Sequence, residues 1–239
     1  MLGLCLALAA CTQSASPTPE PVSPCKDEQF EQSLFILCAS AGPIEIRSGK
    51  RSFAELQASL GERANDVAFA MNAGMFDQAG APIGLMIEDG REVHPINRRQ
   101  GGGNFHLMPN GVFLVRRDGT ADVVTSDAFQ PSADIAFATQ SGPMLLVGGK
   151  PHPKFDPDGT SKHVRNGVGI APSGKALFVI SRDPVSFGKM ARYLRDRHQV
   201  RSALYFDGAV SSLWDPSNHR MDSASDLGPM VVVFRRSAG

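Results

Sequence analysis

Ala203-Leu204-Tyr205-Phe206-Asp207-Gly208-Ala209-Val210-Ser211-Ser212 opens as an apolar run and breaks into a carboxylate, a glycine and two hydroxyls. Its first half suits a buried strand, and its second half suits the polar rim of a site. A single ending of this kind says little, because any strand can stop at a polar loop. Here the pattern recurs. Residues 67–70 (VAFA) run into Met71-Asn72-Ala73-Gly74, residues 135–138 (IAFA) into Thr139-Gln140-Ser141-Gly142-Pro143, and residues 177–180 (LFVI) into Ser181-Arg182-Asp183. Strand ends that carry small polar groups and glycines are where α/β-type sheets place ligand sites.

Outward from these strands, turn chemistry divides the chain into hairpins. Residues 111–116 and 121–125 flank Arg117-Asp118-Gly119, and residues 167–171 and 176–181 flank Ser173-Gly174. Further short strands are expected at 33–38, 43–47, 66–72, 82–88 and 228–235, and residues 136–141 are expected to pair with 144–147 around Gly142-Pro143. Two helices have clear starts. Ser52-Phe53-Ala54-Glu55 has capping-box spacing, with Phe53, Leu56 and Leu60 on one face. Ser186 caps the second, which sets Phe187, Met190, Ala191 and Leu194 on one face. Residues 151–165 are polar and hold three prolines, which suits a functional loop or lid. The expectation is an α+β fold: a large mixed, mostly antiparallel sheet with about two main helices, in a single compact domain over residues 27–239.

The 239 residues are 42% hydrophobic and 20% charged, an ordinary globular composition. Lys+Arg and Asp+Glu both number 24, so no bulk positive field exists to grip nucleic acid. A small anionic ligand needs only one or two placed cations. Residues 2–10 are apolar, and Leu8-Ala9-Ala10-Cys11 matches a lipoprotein signal, in which a cysteine after small residues is cleaved at and lipidated. An ordinary secretory segment with a chance cysteine is the alternative. On the first reading, residues 1–10 are a signal peptide and residues 11–26 a Ser/Thr/Pro-rich tether. The expected location is then the cell envelope or periplasm, with the membrane as partner through lipid on Cys11. Cys25 and Cys38 remain as an even pair in an oxidising compartment. A disulfide is expected there, and two free buried thiols are the alternative.

The usual catalytic signatures are missing: there is no G-x-S-x-G, no H-E-x-x-H and no G-x-x-x-x-G-K-[ST]. The six histidines, at 94, 106, 152, 163, 198 and 219, lack metal-ligand spacing, and His198 reads as a favourable charge at a helix end. The sequence offers instead polar side chains in glycine-rich surroundings: Asn72, Asn104, Asn110, Ser141, Arg165, Asn166, Asp207, Ser211 and Ser212, with Gly208 beside the carboxylate. Glycines let backbone N–H groups approach a ligand. Asparagine amides suit sugar hydroxyls or phosphate oxygens, and an arginine fork suits phosphate. Asp207 suits a general acid/base, a nucleophile or a sugar-hydroxyl acceptor. Asp89-Gly90 and Asp118-Gly119 read as turn chemistry.

Several motifs, in order, resemble the phosphodiester glycosidase family. They are Phe69-Ala70-Met71-Asn72-Ala73-Gly74-Met75-Phe76, Pro82-Ile83-Gly84-Leu85, Gly103-Asn104-Phe105 with Pro109-Asn110-Gly111-Val112-Phe113, Ala138-Thr139-Gln140-Ser141-Gly142-Pro143-Met144-Leu145, Arg165-Asn166-Gly167-Val168-Gly169, and the opening stretch continued to Leu213. The resemblance covers nearly all of 25–235 and implies hydrolysis of a sugar-1-phosphodiester, as a small molecule or within a glycopolymer. Asn72, Asn110, Ser141, Arg165, Asp207 and Ser211 fall on motif positions. By their chemistry, Arg165 would hold the phosphate and Asp207 would serve the anomeric centre or the leaving group. Asn72, as a third catalytic group, would fix substrate oxygens together with Asn104, Asn110, Asn166 and the hydroxyls. Vertebrate members add cysteine-rich and membrane-spanning segments after the catalytic domain, and a sequence closing at Gly239 leads to the expectation of a bacterial envelope protein. No cofactor is expected. A divalent cation on Asp207 and a second carboxylate is an open alternative, as is a non-catalytic carbohydrate-binding lipoprotein.

Overall fold

The computed structural model describes residues 22–236. The expected signal peptide, Cys11 and most of the tether lie outside these residues. In chain order the strands are β1 (Cys25–Phe30), β2 (Ser33–Ala39), β3 (Ile44–Arg47), β4 (Val67–Asn72), β5 (Met86–Glu88) and β6 (Arg91–His94). Next come β7 (Gly111–Arg116), β8 (Ala121–Thr125), β9 (Ile135–Ser141), β10 (Met144–Val147), β11 (Lys150–Pro151) and β12 (Asn166–Ile170). The last five are β13 (Ala176–Ser181), β14 (Ala203–Tyr205), β15 (Leu213–Asp215), β16 (Arg220–Met221) and β17 (Met230–Phe234). Two helices, α1 (Phe53–Leu60) and α2 (Phe187–Arg192), complete the α+β domain, and α2 continues as a wider π turn over Tyr193–Arg197.

The strands form three antiparallel sheets among the described residues: β1-β2-β13-β12-β14-β10-β11, β16-β15-β4-β17-β3 and β6-β5-β9-β7-β8. All three turn one face onto a shared core. Alternate residues show why the strands read as unbroken apolar runs. Phe69 and Met71, Phe113 and Val115, Phe178 and Ile180, and Val231 and Val233 point into that core. The residues between them point outward under a second cover. Leu177 and Val179 pack against Met190 of α2 and Leu194 of the π turn that continues it. Ala70 and Val232 pack against Phe53 and Leu56 of α1. Val112 and Leu114 pack beside Phe129.

The expected helix starts are present. The Ser52 hydroxyl accepts the Glu55 N–H at 3.2 Å, and the Ser186 hydroxyl accepts the Lys189 N–H at 3.1 Å. The expected pairing of 136–141 with 144–147 is corrected by the structure. β9 lies between β5 and β7 in one sheet, while β10 pairs with β14 and β11 in another. Gly142-Pro143 carries the chain from sheet to sheet, so it is a crossover and not a hairpin. β1 also begins inside the expected tether, at Cys25. His198 does more than end a helix: its Nε2 lies 2.8 Å from Glu28 Oε2, which also accepts from the Tyr193 hydroxyl at 3.0 Å, so β1 is fastened to the end of α2.

Cys25 and Cys38 face each other across β1 and β2 and are disulfide-bonded, closing a loop with a sequence separation of 13. A Cys25→Ala, Cys38→Ala variant is expected to lose about 3 kcal/mol of stability by loop-closure entropy. Denaturant titration of variant and parent, each with and without reductant, checks it: the parent should fall toward the variant only when reduced.

Candidate functional site

The polar strand ends meet at one place, and strand register brings them there. β12 and β14 pair with Gly167 opposite Tyr205, Val168 opposite Leu204 and Gly169 opposite Ala203. The Phe206 N–H continues this ladder to the Asn166 carbonyl at 3.1 Å. One step further, Arg165 stands across from Asp207. Alternation puts Arg165, Tyr205 and Asp207 on the face toward α2, and Asn166 and Phe206 on the face toward the shared core.

Behind Asp207 lies a closed amide network. Asn72 and Asn166 are both buried. The Asn72 amide donates to the Asp207 carbonyl at 2.7 Å, and its oxygen accepts from the Asn166 amide and the Ser212 N–H, each at 2.8 Å. The Asn166 amide also donates to the Asn72 carbonyl at 2.9 Å. The Asp207 N–H donates to the Ala73 carbonyl at 3.0 Å. β4, β12 and the turn after β14 are thereby bolted together, which fixes where the Asp207 side chain starts. Within the turn, the Ala209 N–H donates to Asp207 Oδ1 at 3.2 Å. The Ser211 hydroxyl donates to the Gly208 carbonyl at 3.1 Å, and the Ser212 hydroxyl to the Val210 carbonyl at 2.7 Å.

Arg165 is 1% exposed, yet none of its hydrogen bonds reaches a carboxylate. Nε donates to the Val185 carbonyl at 2.8 Å, one Nη to the Ser161 carbonyl at 3.0 Å, and the other to the Tyr205 hydroxyl at 3.4 Å. The guanidinium lies 3.6 Å over the Phe187 ring, and Phe187 stacks on Phe155 at 4.8 Å. A buried cation without an anionic partner is costly, and burial pushes its pKa down against the favourable influence of Tyr205. Asp207 is the converse case. It is partly buried with no cation on it among the described residues, so desolvation pushes its pKa up, partly offset by the Ala209 N–H. A carboxylate raised in this way keeps its proton to higher pH than an exposed one.

Arg165, Phe187, Tyr205 and Gly208 form one wall of a cleft of about 520 Å³, with Ser161 and His163 from the expected functional loop and Asn104 also lining it. Asn110 and Ser141 lie to the side, buried at the ends of β7 and β9, where Gly142 packs against Asn110 and the Asn104 carbonyl. Asn110 Oδ1 and Ser141 Oγ have no partner among the described residues, although the Asn110 amide donates to the Phe105 carbonyl at 2.9 Å. The expected residues therefore sort by geometry. Arg165, Asn104 and Gly208 line the cleft with Asp207 on the adjoining turn; Asn72, Asn166 and Ser212 hold that turn; Asn110 and Ser141 sit beside the far wall. Tyr205 and Phe187 were missed as site residues. Tyr205 had a readable signal, since it alternates with Asp207 on one strand. Among the described residues no group of three or more His, Cys, Asp or Glu side chains is placed to hold a metal ion.

Fold and site together define an α+β protein of three antiparallel sheets with a cleft at its strand ends that is lined by a buried guanidinium. The chain belongs to the phosphodiester glycosidase family, whose model matches residues 65–234. It is 41% identical over 148 residues to the uncharacterized protein YigE of Escherichia coli (strain K12), covering 62% of this chain and 58% of that one, so the match spans little more than half of the relative's length. Two solved structures share the fold. The zebrafish N-acetylglucosamine-1-phosphodiester alpha-N-acetylglucosaminidase catalytic domain, auto-inhibited by its pro-peptide, superposes with a TM-score of 0.61 at 17% identity, over 89% of this chain and 81% of that one. A hypothetical protein from Synechocystis gives 0.56 at 13%, over 89% and 61%. Residues 25–64 precede the family match but are integral to the fold, since β2 pairs with β13 and β3 with β17.

Proposed function

We propose that this protein hydrolyses sugar-1-phosphodiesters of the cell envelope, tethered to the membrane by lipid on Cys11. One observation carries the reading: a buried guanidinium with no carboxylate partner stands across a strand pair from a carboxylate with a raised pKa, beside one cleft, in a chain of the phosphodiester glycosidase family. A phosphodiester supplies the single negative charge that Arg165 lacks, and Asp207 serves the anomeric carbon or the leaving group. Asn72, Asn166 and Ser212 act as positioning residues for the Asp207 turn. Asn104, which lines the cleft, provides hydrogen bonds for sugar or phosphate oxygens. The Cys25–Cys38 disulfide suits an oxidising compartment and so supports export.

The purified protein should release free sugar from a sugar-1-phosphodiester. Hydrolysis in ¹⁸O-labelled water then assigns the bond: label in the sugar means C–O cleavage, and label in the phosphate means P–O cleavage. Absence of release across N-acetylglucosaminyl, glucosyl and mannosyl phosphodiesters would sink the proposal. Gly208 offers a sharper check. A Cβ there would lie 2.0 Å from the Tyr205 hydroxyl, so Gly208→Ala must displace either the phenol or the Asp207 turn. A shift of that size should lower kcat/KM by about 10²-fold with the far-UV CD spectrum unchanged.

A further inference from the structure

Tyr205 is 2% exposed, lines the cleft, and has a use for its oxygen but none for its proton. The oxygen accepts from Arg165 Nη1 at 3.4 Å. The ring is held by the edge-to-face contact with Phe187 at 4.7 Å, and the Gly208 Cα closes over the hydroxyl. Among the described residues no hydrogen-bond acceptor takes the phenolic proton. Backbone donors of the adjacent turn are already spent. The Gly208 N–H goes to the Phe206 carbonyl at 3.0 Å, the Ala209 N–H to Asp207, and the Val210 N–H to the Asp207 carbonyl at 3.3 Å. An anion in this cleft therefore cannot rely on the backbone of the turn, and its donors on this wall must be side chains.

We propose that the Tyr205 hydroxyl is a substrate-contacting group of the cleft: while accepting from Arg165, it donates its own proton to a non-bridging oxygen of the bound phosphodiester. The proposal rests on the phosphodiester reading above and adds a second donor to it. Polarisation by the guanidinium strengthens the phenol as a donor. Burial raises the phenol's pKa, with Asp207 adding to it and Arg165 and the Gly208 backbone N–H opposing, so the hydroxyl keeps its proton at neutral pH. No covalent step is involved. The hydroxyl stays protonated through binding, and its hydrogen bond orients the phosphate against the Arg165 fork.

The chain has two tyrosines, which makes the test direct. Tyr193 donates to Glu28 at the end of α2 and serves as an internal reference. Protein labelled with ¹³Cζ-tyrosine gives two resonances, assigned by Tyr193→Phe and Tyr205→Phe. On titration with dimethyl phosphate, a minimal phosphodiester, the Tyr205 resonance should shift saturably while the Tyr193 resonance stays fixed. Tyr205→Phe, which keeps the ring and its packing, should raise the Kd for dimethyl phosphate about tenfold or more. A fixed Tyr205 resonance, or an unchanged Kd in Tyr205→Phe, in a protein that turns over sugar-1-phosphodiesters overturns this inference and leaves the proposed function intact. A saturable Tyr205 shift in a protein without turnover supports the inference and removes the hydrolase reading. No shift together with no turnover overturns both.

Discussion

Asp207→Asn is expected to cut turnover of a sugar-1-phosphodiester by about 10² to 10⁴-fold while leaving the protein folded. The substitution keeps the shape of the side chain. It also keeps the turn, because Asn72 binds the Asp207 carbonyl of the backbone, and an amide oxygen can still accept the Ala209 N–H. What it removes is the carboxylate of this turn, the group suited to exchange a proton with a substrate near neutral pH. pH dependence provides a second reading of the same residue. If the ionised carboxylate is the working form, kcat/KM rises with pH through its raised pKa, so the acid limb lies above the ordinary carboxylate range. Stability moves the opposite way. A folded pKa above the unfolded value of 3.8 means that the ionised carboxylate opposes folding at neutral pH, and this cost vanishes once both states are protonated in acid. Asp207→Asn should therefore melt at or above the parent temperature at pH 7 and converge with it below that unfolded value. A variant that retains full activity would remove Asp207 from the chemistry.

The second large effect is expected at Arg165→Met, with a loss of about 10² to 10³-fold in kcat/KM and a melting temperature equal to or higher than the parent's. The two halves of this prediction come from one fact. Arg165 is a buried charge with no carboxylate partner, so in the free protein it is a burden that a bound anion relieves. Replacement by an apolar side chain of similar reach removes the desolvation cost and little else. The Val185 carbonyl still accepts the His163 N–H at 3.2 Å, the exposed Ser161 can turn its carbonyl to water, and Phe187 stays stacked on Phe155. Kinetics and thermal denaturation measured on the same sample decide the matter. Activity lost together with a large fall in melting temperature would make Arg165 a structural residue.

Much of the fold was readable because its signals are local. Capping by Ser52 and Ser186 needs only a hydroxyl three residues before an N–H. The hairpins over Gly111–Arg116 with Ala121–Thr125, and over Asn166–Ile170 with Ala176–Ser181, follow from glycine turns between apolar runs. Short strands escaped notice where this contrast fails. β1 is largely polar and follows a proline-rich segment, and β16 is two residues long. The 142–143 turn misled for the opposite reason. Gly-Pro looks the same whether the next strand returns beside the last or crosses to another sheet, and only packing against β14 and β7 chooses between them.

The same division runs through the site. The sequence alone determined that polar groups end the apolar strands, that Asp207 and Gly208 close β14, and that Asn72, Arg165 and Asn166 stand at comparable strand ends, because composition and periodicity are local properties. Only the tertiary structure decided that Arg165 stands at the backbone position across from Asp207, that the two asparagines hold the turn, that Asn110 and Ser141 lie to the side, and that the phenol of Tyr205 lies against the guanidinium and the turn. Those facts depend on the register of β12 against β14, whose paired residues lie tens of positions apart in the chain. They depend as well on α2 bringing Phe187 over the guanidinium. Pairing between distant segments is set by the shared core between the three sheets, and no window of sequence contains that core.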